Sequence, residues 1–307
     1  MSPLERLFDK VGDWIDAPRP AIRLELVRMF APLAILGFMS GRLIHVDEWI
    51  GDSGFRVPKL MHNGHQPLWV PPLPNDLAWV LAIAMVVSGV FVAAGYRTRP
   101  SALVFVATLV FVALSDRPAA FTVSKIGPVI MLAVACGPAG ERFGVDAWLR
   151  LQRGEEIGPK VVPLGPVRFF QLFLAVFYCA SGVAKGGSDW ITTPLVLFSH
   201  VHDSYQTPIS FFIAQHLPGR FWTPMQYSVL VYEMGAPILF SWSRTRLPQL
   251  LYGVAMHIGI GLMFGPVIWF AVLMITLLLA AYSPDSWAEW LDEKAMKVMR
   301  KARPAAA

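Results

Sequence analysis

Charge is what this chain has least of. Only 15% of its 307 residues are Asp, Glu, Lys or Arg, against about a quarter in soluble domains, and the mean hydropathy is +0.51. That balance excludes an ordinary soluble domain and points to an integral membrane protein. Cysteine is almost missing as well. Cys136 and Cys179 are the two present, they form no C-x-x-C pair, and they are expected at different depths, so no disulfide framework is read from them. The chain carries no G-x-S-x-G, no Walker loop, no dinucleotide fingerprint and no H-E-x-x-H, so the usual signatures of soluble enzymes are absent. No Lys/Arg run is interleaved with aromatics in the way a nucleic-acid groove requires. The net charge of +5 therefore needs another explanation.

Long apolar runs supply it. A membrane helix takes about 20 mainly apolar residues, and eight such spans can be drawn, at approximately 22–45, 76–95, 100–115, 123–138, 164–186, 223–242, 248–264 and 266–282. Placing the N-terminus inside puts 19 Lys and Arg on the inner side and five on the outer, with Lys125 and Lys185 in or at the edge of spans. Positive charge stays on the cytoplasmic side of membrane proteins, so both termini are expected in the cytoplasm. The first 20 residues hold charges throughout and no continuous apolar core, so the first span itself is read as the insertion signal. The expected fold is all-α: a polytopic bundle of about eight transmembrane helices with amphipathic interfacial helices at both ends. Residues 1–20 form the first of these, 21–283 the membrane domain, and 284–307 an amphipathic helix with a disordered tail. Leu4, Leu7, Phe8, Val11 and Trp14 share one face of the first helix; Trp287, Trp290, Leu291, Met296 and Met299 are the expected lipid contacts of the last. Two long outer loops, 47–75 and 187–222, have the length of binding loops or lids; the inner loop 139–163 reads as a hydrophilic connector.

An ionisable group inside a span is expensive to bury and points by default to function. Lys185 heads the set. Ser181 at i−4, Gly182 at i−3, Tyr178 at i−7 and Gln171 at i−14 lie on its face of the helix, giving a polar stripe that ends in an amine. A neutral amine can act as general base; the competing reading is a lysine that snorkels to the outer interface beside Asp189 and Trp190. Glu233, in "VLVYEMGAPILF", either pairs with a cation or bonds a neighbouring helix. His257, in "YGVAMHIGIGLMF", reads as an interhelical hydrogen bond or a ligand-facing group. Lys125 reads as a snorkelling or ion-paired residue, with a ligand role as the alternative. His62 and His65 in "HNGH", and His200, His202 and Asp203 in "HVHD", fall short of a four-ligand zinc pattern, so no metal is expected. His200 and His202 follow Lys185 on the outer side and are the better placed to line a site.

The order of these elements carries a resemblance. "SGVAKGGSDW" (181–190), then "YEMGAPILFSWSRTR" (232–246), then "MHIGIGLMF" (256–264), with weaker "GYRTR" (95–99) and "GVDAWL" (144–149), resemble the vitamin K-dependent gamma-glutamyl carboxylase superfamily, whose bacterial members are often called HTTM proteins. The resemblance runs from about residue 20 to 282. It implies that Lys185 is the base that deprotonates a reduced quinone, vitamin K hydroquinone or a menaquinone type, in an oxygen-driven epoxidation coupled to carboxylation or a related proton abstraction. On that reading Lys185, His257 and Glu233 are catalytic; Tyr178, Ser181, Gly182, Gly186, Lys125, His200 and His202 bind the cofactor, with Gly182 and Gly186 leaving room for a flat ring. It also implies a bacterial cytoplasmic (inner) membrane location, membrane lipids as surroundings, no nucleic-acid partner and a lyase-like enzyme.

The sequence also departs from that family. The carboxylase opens its fourth span with Asn-Asn-His; here "FTVSKI" (121–126) stands there, and Lys125 is the candidate substitute. The double lysine is Ala184-Lys185. The chain ends soon after the eighth span, so the expectation is a member without the large outer domain that grips a propeptide, and a small, peptide or lipid-like substrate on the outer side. The alternative function is a non-catalytic membrane accessory factor for maturation of, or immunity to, a secreted peptide. A transporter is third, since no duplicated halves are seen.

Overall fold

The computed structural model describes residues 2–54, 70–115, 122–163, 165–202 and 205–301. Helix dominates, because in hydrocarbon a backbone must satisfy its own hydrogen bonds and a helix does so within one segment. The chain divides into two compact units, Met1–Pro166 with Ala288–Ala307, and Val167–Trp287.

The first unit opens with α1 (Pro3–Asp16). Its N-terminus is closed by a capping box: Glu5 N donates to Ser2 Oγ (3.2 Å) and Ser2 N to the Glu5 carboxylate (2.7 Å). Leu4, Phe8, Val11 and Ile15 recur at helical spacing and are exposed. A short strand β1 (Pro18–Pro20), later paired antiparallel with β2 (Val161–Pro163), leads into α2 (Ile22–Leu43) and the single turn α3 (Val46–Trp49). There follow α4 (Asn75–Ala94), α5 (Thr98–Ser115), α6 (Thr122–Cys136) and α7 (Val145–Gln152). Helices α2, α4, α5 and α6 pack on one another around Val27, Ile35, Met85, Phe105, Leu109 and Ile130, all fully or almost fully buried. Small residues let them approach: a Cβ on Gly89 would lie 2.9 Å from Leu36 and 3.1 Å from Phe105.

One end of this unit is stitched by two charged residues that the topology count treats as loop charges or ignores. Arg28 and Glu25, each 1% exposed, are joined by an Nε–Oε2 bond of 2.6 Å. Arg28 also donates to the carbonyls of Val92 (2.8 Å) and Ala93 (2.7 Å). It thus caps the C-terminus of α4, where carbonyls lack partners and positive charge is favoured. Glu25 Oε1 in turn accepts from the backbone of Gly140 (3.0 Å), Arg142 (3.2 Å) and Phe143 (3.4 Å). Just beside this, the "GYRTR" and "GVDAWL" segments meet. Asp146 accepts from Arg97 N (2.6 Å) and donates its own N–H to Gly95 O (3.0 Å). Gly95 has φ +73°, and a Cβ there would sit 2.9 Å from Gly144 Cα, so only glycine allows this contact. These two motifs therefore build the fold of the first unit.

The second unit runs through α8 (Gly165–Gly186), short α9 (Asp189–Thr192) and α10 (Val196–Val201), α11 (Pro208–His216), α12 (Trp222–Leu239), α13 (Ser243–Met263) and α14 (Ile268–Tyr282). Helix α8 buries Val167, Phe170, Leu174, Tyr178 and Gly182, spaced by three or four, so one stripe faces the protein. Near its N-terminal end the Gln171 side chain donates to Ala281 O (2.6 Å), and the Gln171 backbone carbonyl accepts from Tyr282 Oη (2.6 Å). Arg246 donates to Phe240 O (2.9 Å), closing the C-terminus of α12.

The last helix, α15 (Asp285–Lys301), corrects one expectation. Leu291, Met296 and Met299 pack on Ile22, Phe143 and Ala288 and so face protein, while Trp287 and Trp290 stay exposed. The helix is pinned by Arg142, which reaches Asp292 with two bonds of 2.6 and 2.7 Å. Loop 139–163 is thus a docking element as well as a connector.

Among the described residues, four helices are long and apolar enough to cross a membrane: Asn75–Ala94, Thr98–Ser115, Gly165–Gly186, and the stretch Gly265–Tyr282 that includes α14. Helix α6 is apolar but shorter. The other three expected spans are also helical, as α2, α12 and α13. They carry internal polar groups such as Glu25, Arg28, Gln226 and Glu233, which dilute their hydropathy.

Candidate functional site

Lys185 stands at the C-terminal end of α8, and its amine does not extend outward. Nζ donates to Ser181 Oγ, one turn back, at 2.8 Å. Helical side chains lean toward the N-terminus, and here the lean brings the amine to the level of the preceding turn. Snorkelling to the outer surface is therefore not what this lysine does. Its main partner is Glu233 of α12, with Nζ 2.6 Å from both carboxylate oxygens. The lysine is 25% exposed and the glutamate 8%.

Gly182 explains how α12 comes so close. A Cβ there would lie 2.7 Å from Met234 Cγ, 2.8 Å from Met234 N and 3.0 Å from Glu233 Cβ. The space expected to receive a flat ring is filled by α12 itself; the glycine serves helix packing. Gly186 is different. Its Cβ would meet Ile191 and Met234 Sδ, both at 3.9 Å, which is ordinary van der Waals contact, so a methyl would fit there without displacing either neighbour.

Above the amine lies Trp190, whose ring centroid is 5.4 Å from Nζ, a cation–π distance. His200 stacks on Trp190, the two ring centroids 6.3 Å apart and the planes inclined by 29°. Trp190 is held by Gln226, a fully buried residue of α12. Gln226 Nε2 donates to the carbonyls of Trp190 (2.6 Å) and Thr193 (3.2 Å), while its Oε1 accepts from Leu197 N (3.1 Å). Neither Trp190 nor Gln226 was singled out as a site residue by the sequence reading. The signal was present, because Gln226 precedes Glu233 by seven residues and so shares its face.

A second polar cluster lies further down α8. Tyr178 Oη and His257 Nε2 are 2.8 Å apart, joining α8 to α13, and the Tyr178 ring meets Tyr232 of α12 edge-on at 5.1 Å. Among the described residues, two atoms of this buried cluster, His257 Nδ1 and the Tyr232 hydroxyl, make no hydrogen bond of good geometry. Gly253 makes room for the second, since a Cβ there would collide with it. Buried polar atoms without partners are rare in folded proteins and call for an explanation. The amine, at the level of Ser181, is three residues along α8 from Tyr178, a rise of about 4.5 Å.

Of the other expected site residues in the second unit, His202 is not drawn in. His202 bonds Phe198 O through Nδ1 (2.9 Å) and packs on the Phe198 ring, an arrangement local to α10. Lys125 lies exposed on α6, in the first unit. His62, His65 and Asp203 fall outside the described residues. Among the described residues no group of three His, Cys, Asp or Glu side chains is arranged to hold a metal.

Chemically, Lys185 and Glu233 form a pair that is neutral overall whether the shared proton sits on nitrogen or on oxygen. A paired charge is far less costly to keep in a dry site than a lone one. Moving the proton to the carboxylate leaves an amine with a free lone pair, which is the form that can accept a proton.

Comparison with known proteins places this arrangement. No curated protein and no solved structure matches the chain. The family model described as "HTTM domain" matches residues 25–287, a stretch that contains α4 to α14 and with them every residue of both polar clusters. On that match, which covers well over half of the sequence, the chain belongs to the HTTM domain family.

Proposed function

We propose that this protein is a membrane-embedded, carboxylase-like enzyme that uses Lys185 as general base on a reduced quinone. The observation that carries the reading is the inward-turned amine, bound to Ser181 and to both oxygens of Glu233. The HTTM family's relation to vitamin K-dependent carboxylases supports it. The fit to a quinone rests on the orphaned polar atoms. His257 Nδ1 and the Tyr232 hydroxyl are buried, unpaired and next to Tyr178, and they offer hydrogen bonds to a ring oxygen. Gly186, which has room for a methyl between its backbone and the side chains of Ile191 and Met234, replaces Gly182 as the residue against which the edge of a flat ring can rest.

When bound, a hydroquinone supplies an acidic hydroxyl and, with oxygen, the driving force for a demanding proton abstraction. The chain's own residues would do the rest. Glu233 takes the resting proton of Lys185, freeing the amine, and Ser181 keeps it aimed into the site. Trp190 covers the amine and keeps water from it, which protects a reactive base. Tyr178 and His257 orient the far end of the ligand. The proposal includes eight spans in a bacterial inner membrane, both termini in the cytoplasm, interfacial helices α1 and α15, and a small peptide or lipid-like acceptor reaching the site from outside.

One observation favours a second reading. The Lys185–Glu233 pair is closed on both oxygens, as a purely structural link between helices would be, which suits a non-catalytic accessory role in peptide maturation or immunity. The two readings part in one assay. Purified protein in nanodiscs is given reduced vitamin K or menaquinone with oxygen, and epoxide is sought by mass spectrometry. The enzyme reading expects epoxide from wild type and none from Lys185→Ala. No epoxide from folded wild type, with or without candidate peptides, would reject it in favour of the accessory role.

A further inference from the structure

Helix α11 has two unlike faces. On one, Ser210 is fully buried, and Ile213 and Ala214, with Leu217 just beyond, pack against the cluster of Leu197, Val201 and Trp222. Its N-terminus is fixed by the Thr207–Ser210 capping box, and Thr207 Oγ1 also donates to Leu262 O of α13 at 2.7 Å. This helix is therefore a docked part of the second unit. The opposite side shows Ile209, Phe211 and Phe212, the last 60% exposed, together with Gln215 and with His216, whose ring stacks on Phe212 at 4.1 Å, and no Asp, Glu, Lys or Arg occurs from Tyr205 to Gly219. Two adjacent exposed phenylalanines on a firmly held helix make a costly surface in water.

The length and place of α11 say what covers that surface. Nine residues span only about 13 Å, far short of the roughly 30 Å of a bilayer core, so α11 cannot cross. It lies in the connection between the end of α8 and the start of α12, at the end of α8 that carries Lys185. Arg220 follows it, exposed, with its guanidinium 5.3 Å from the Phe221 ring, where a lipid phosphate would be met. An apolar face with polar flanks and a cation at the edge is the pattern of a helix lying in the membrane interface.

We infer that α11 is an in-plane anchor, with Phe211 and Phe212 set into the outer lipid leaflet, holding the roof of the second unit against the membrane. The inference rests on α8 crossing the bilayer, for which its length and hydropathy speak, and not on the quinone reading.

Site-directed spin labelling tests it. Phe212→Cys and, separately, Phe211→Cys are made in a Cys136→Ser, Cys179→Ser background, labelled with a nitroxide and placed in nanodiscs of phosphatidylcholine and phosphatidylglycerol. Collision with oxygen, which prefers lipid, is compared with collision with a water-soluble nickel chelate. Glu155→Cys in the inner loop gives the aqueous reference, and Val176→Cys, exposed near the middle of α8, the hydrocarbon one. Both α11 labels should favour oxygen, at a depth between the two references. Nickel accessibility equal to that at position 155 would overturn the inference by placing this face in water. Labels reached by neither reagent would also overturn it, showing a protein surface there.

Discussion

Glu233→Ala is expected to destabilise the protein by about 3–5 kcal/mol, the usual cost of breaking a buried pair by removing one partner. The reason is the amine left behind. Lys185 is turned inward, three quarters covered, and bonded to Glu233 at 2.6 Å through both oxygens. Without the carboxylate it keeps only Ser181 and the face of Trp190. Removing both partners should cost less than the sum of the two single changes, because no uncompensated charge remains. A double-mutant cycle of Lys185→Ala and Glu233→Ala, read as unfolding free energy in detergent or bicelles, checks this. Additive effects of the two substitutions would mean that the pair is not formed.

Gly182→Ala and Gly186→Ala are expected to have opposite signs, although the two glycines are one turn apart on the same helix. Alanine normally gains up to about 1 kcal/mol over glycine inside a helix. At position 182 the added methyl meets Met234 N at 2.8 Å, a backbone atom that cannot rotate away, so α8 and α12 must separate. A loss of about 1–3 kcal/mol follows, as for other overpacked contacts, and the Lys185–Glu233 bonds lengthen with it. At position 186 the methyl meets Ile191 and Met234 Sδ at 3.9 Å, ordinary van der Waals contact with no overlap, so the gain of about 0.4–1 kcal/mol is expected to remain. If a flat ligand rests there, quinone affinity falls while stability rises. Thermal melting of both variants, with and without menaquinol, separates the two effects.

The stripe on α8 was legible because helical spacing is unambiguous: Tyr178, Ser181 and Lys185 had to share a face, and Tyr178 and Ser181 do mark the two polar clusters. Glu233 and His257 could be named as costly polar residues in apolar runs, and the structure gives each a partner on α8. Partners themselves were not legible, since they depend on how helices approach. Gly182 illustrates this. A glycine beside a lysine reads equally as room for a ligand and as room for a helix, and only the position of Met234 decides. Arg28 shows a second limit. It was counted as an inner-side charge, yet it is buried and bonded to the C-terminus of α4. Charge counts register depth along the membrane normal and say nothing of whether a side chain faces water or protein. On α15 the apolar face was correctly found, but sequence could not distinguish lipid from the Ile22 and Phe143 cluster, because both are apolar. Gln226 escaped notice for want of charge, although three hydrogen bonds make it the residue that holds Trp190 over the amine.

Where the Lys185 amine sits decides the chemistry open to the site, and its distance from the Glu233 carboxyl can be measured in a lipid bilayer. Protein labelled with 15N on lysine side chains and 13C on glutamate carboxyls would be examined by rotational-echo double resonance in solid-state NMR, with Lys185→Met and Glu233→Gln controls to assign the signal. The account predicts a strong one-to-one dipolar coupling between Lys185 Nζ and Glu233 Cδ that vanishes in either control. A Lys185 signal without carboxyl coupling, from an amine mobile and in contact with water, would contradict it and return this lysine to the membrane surface.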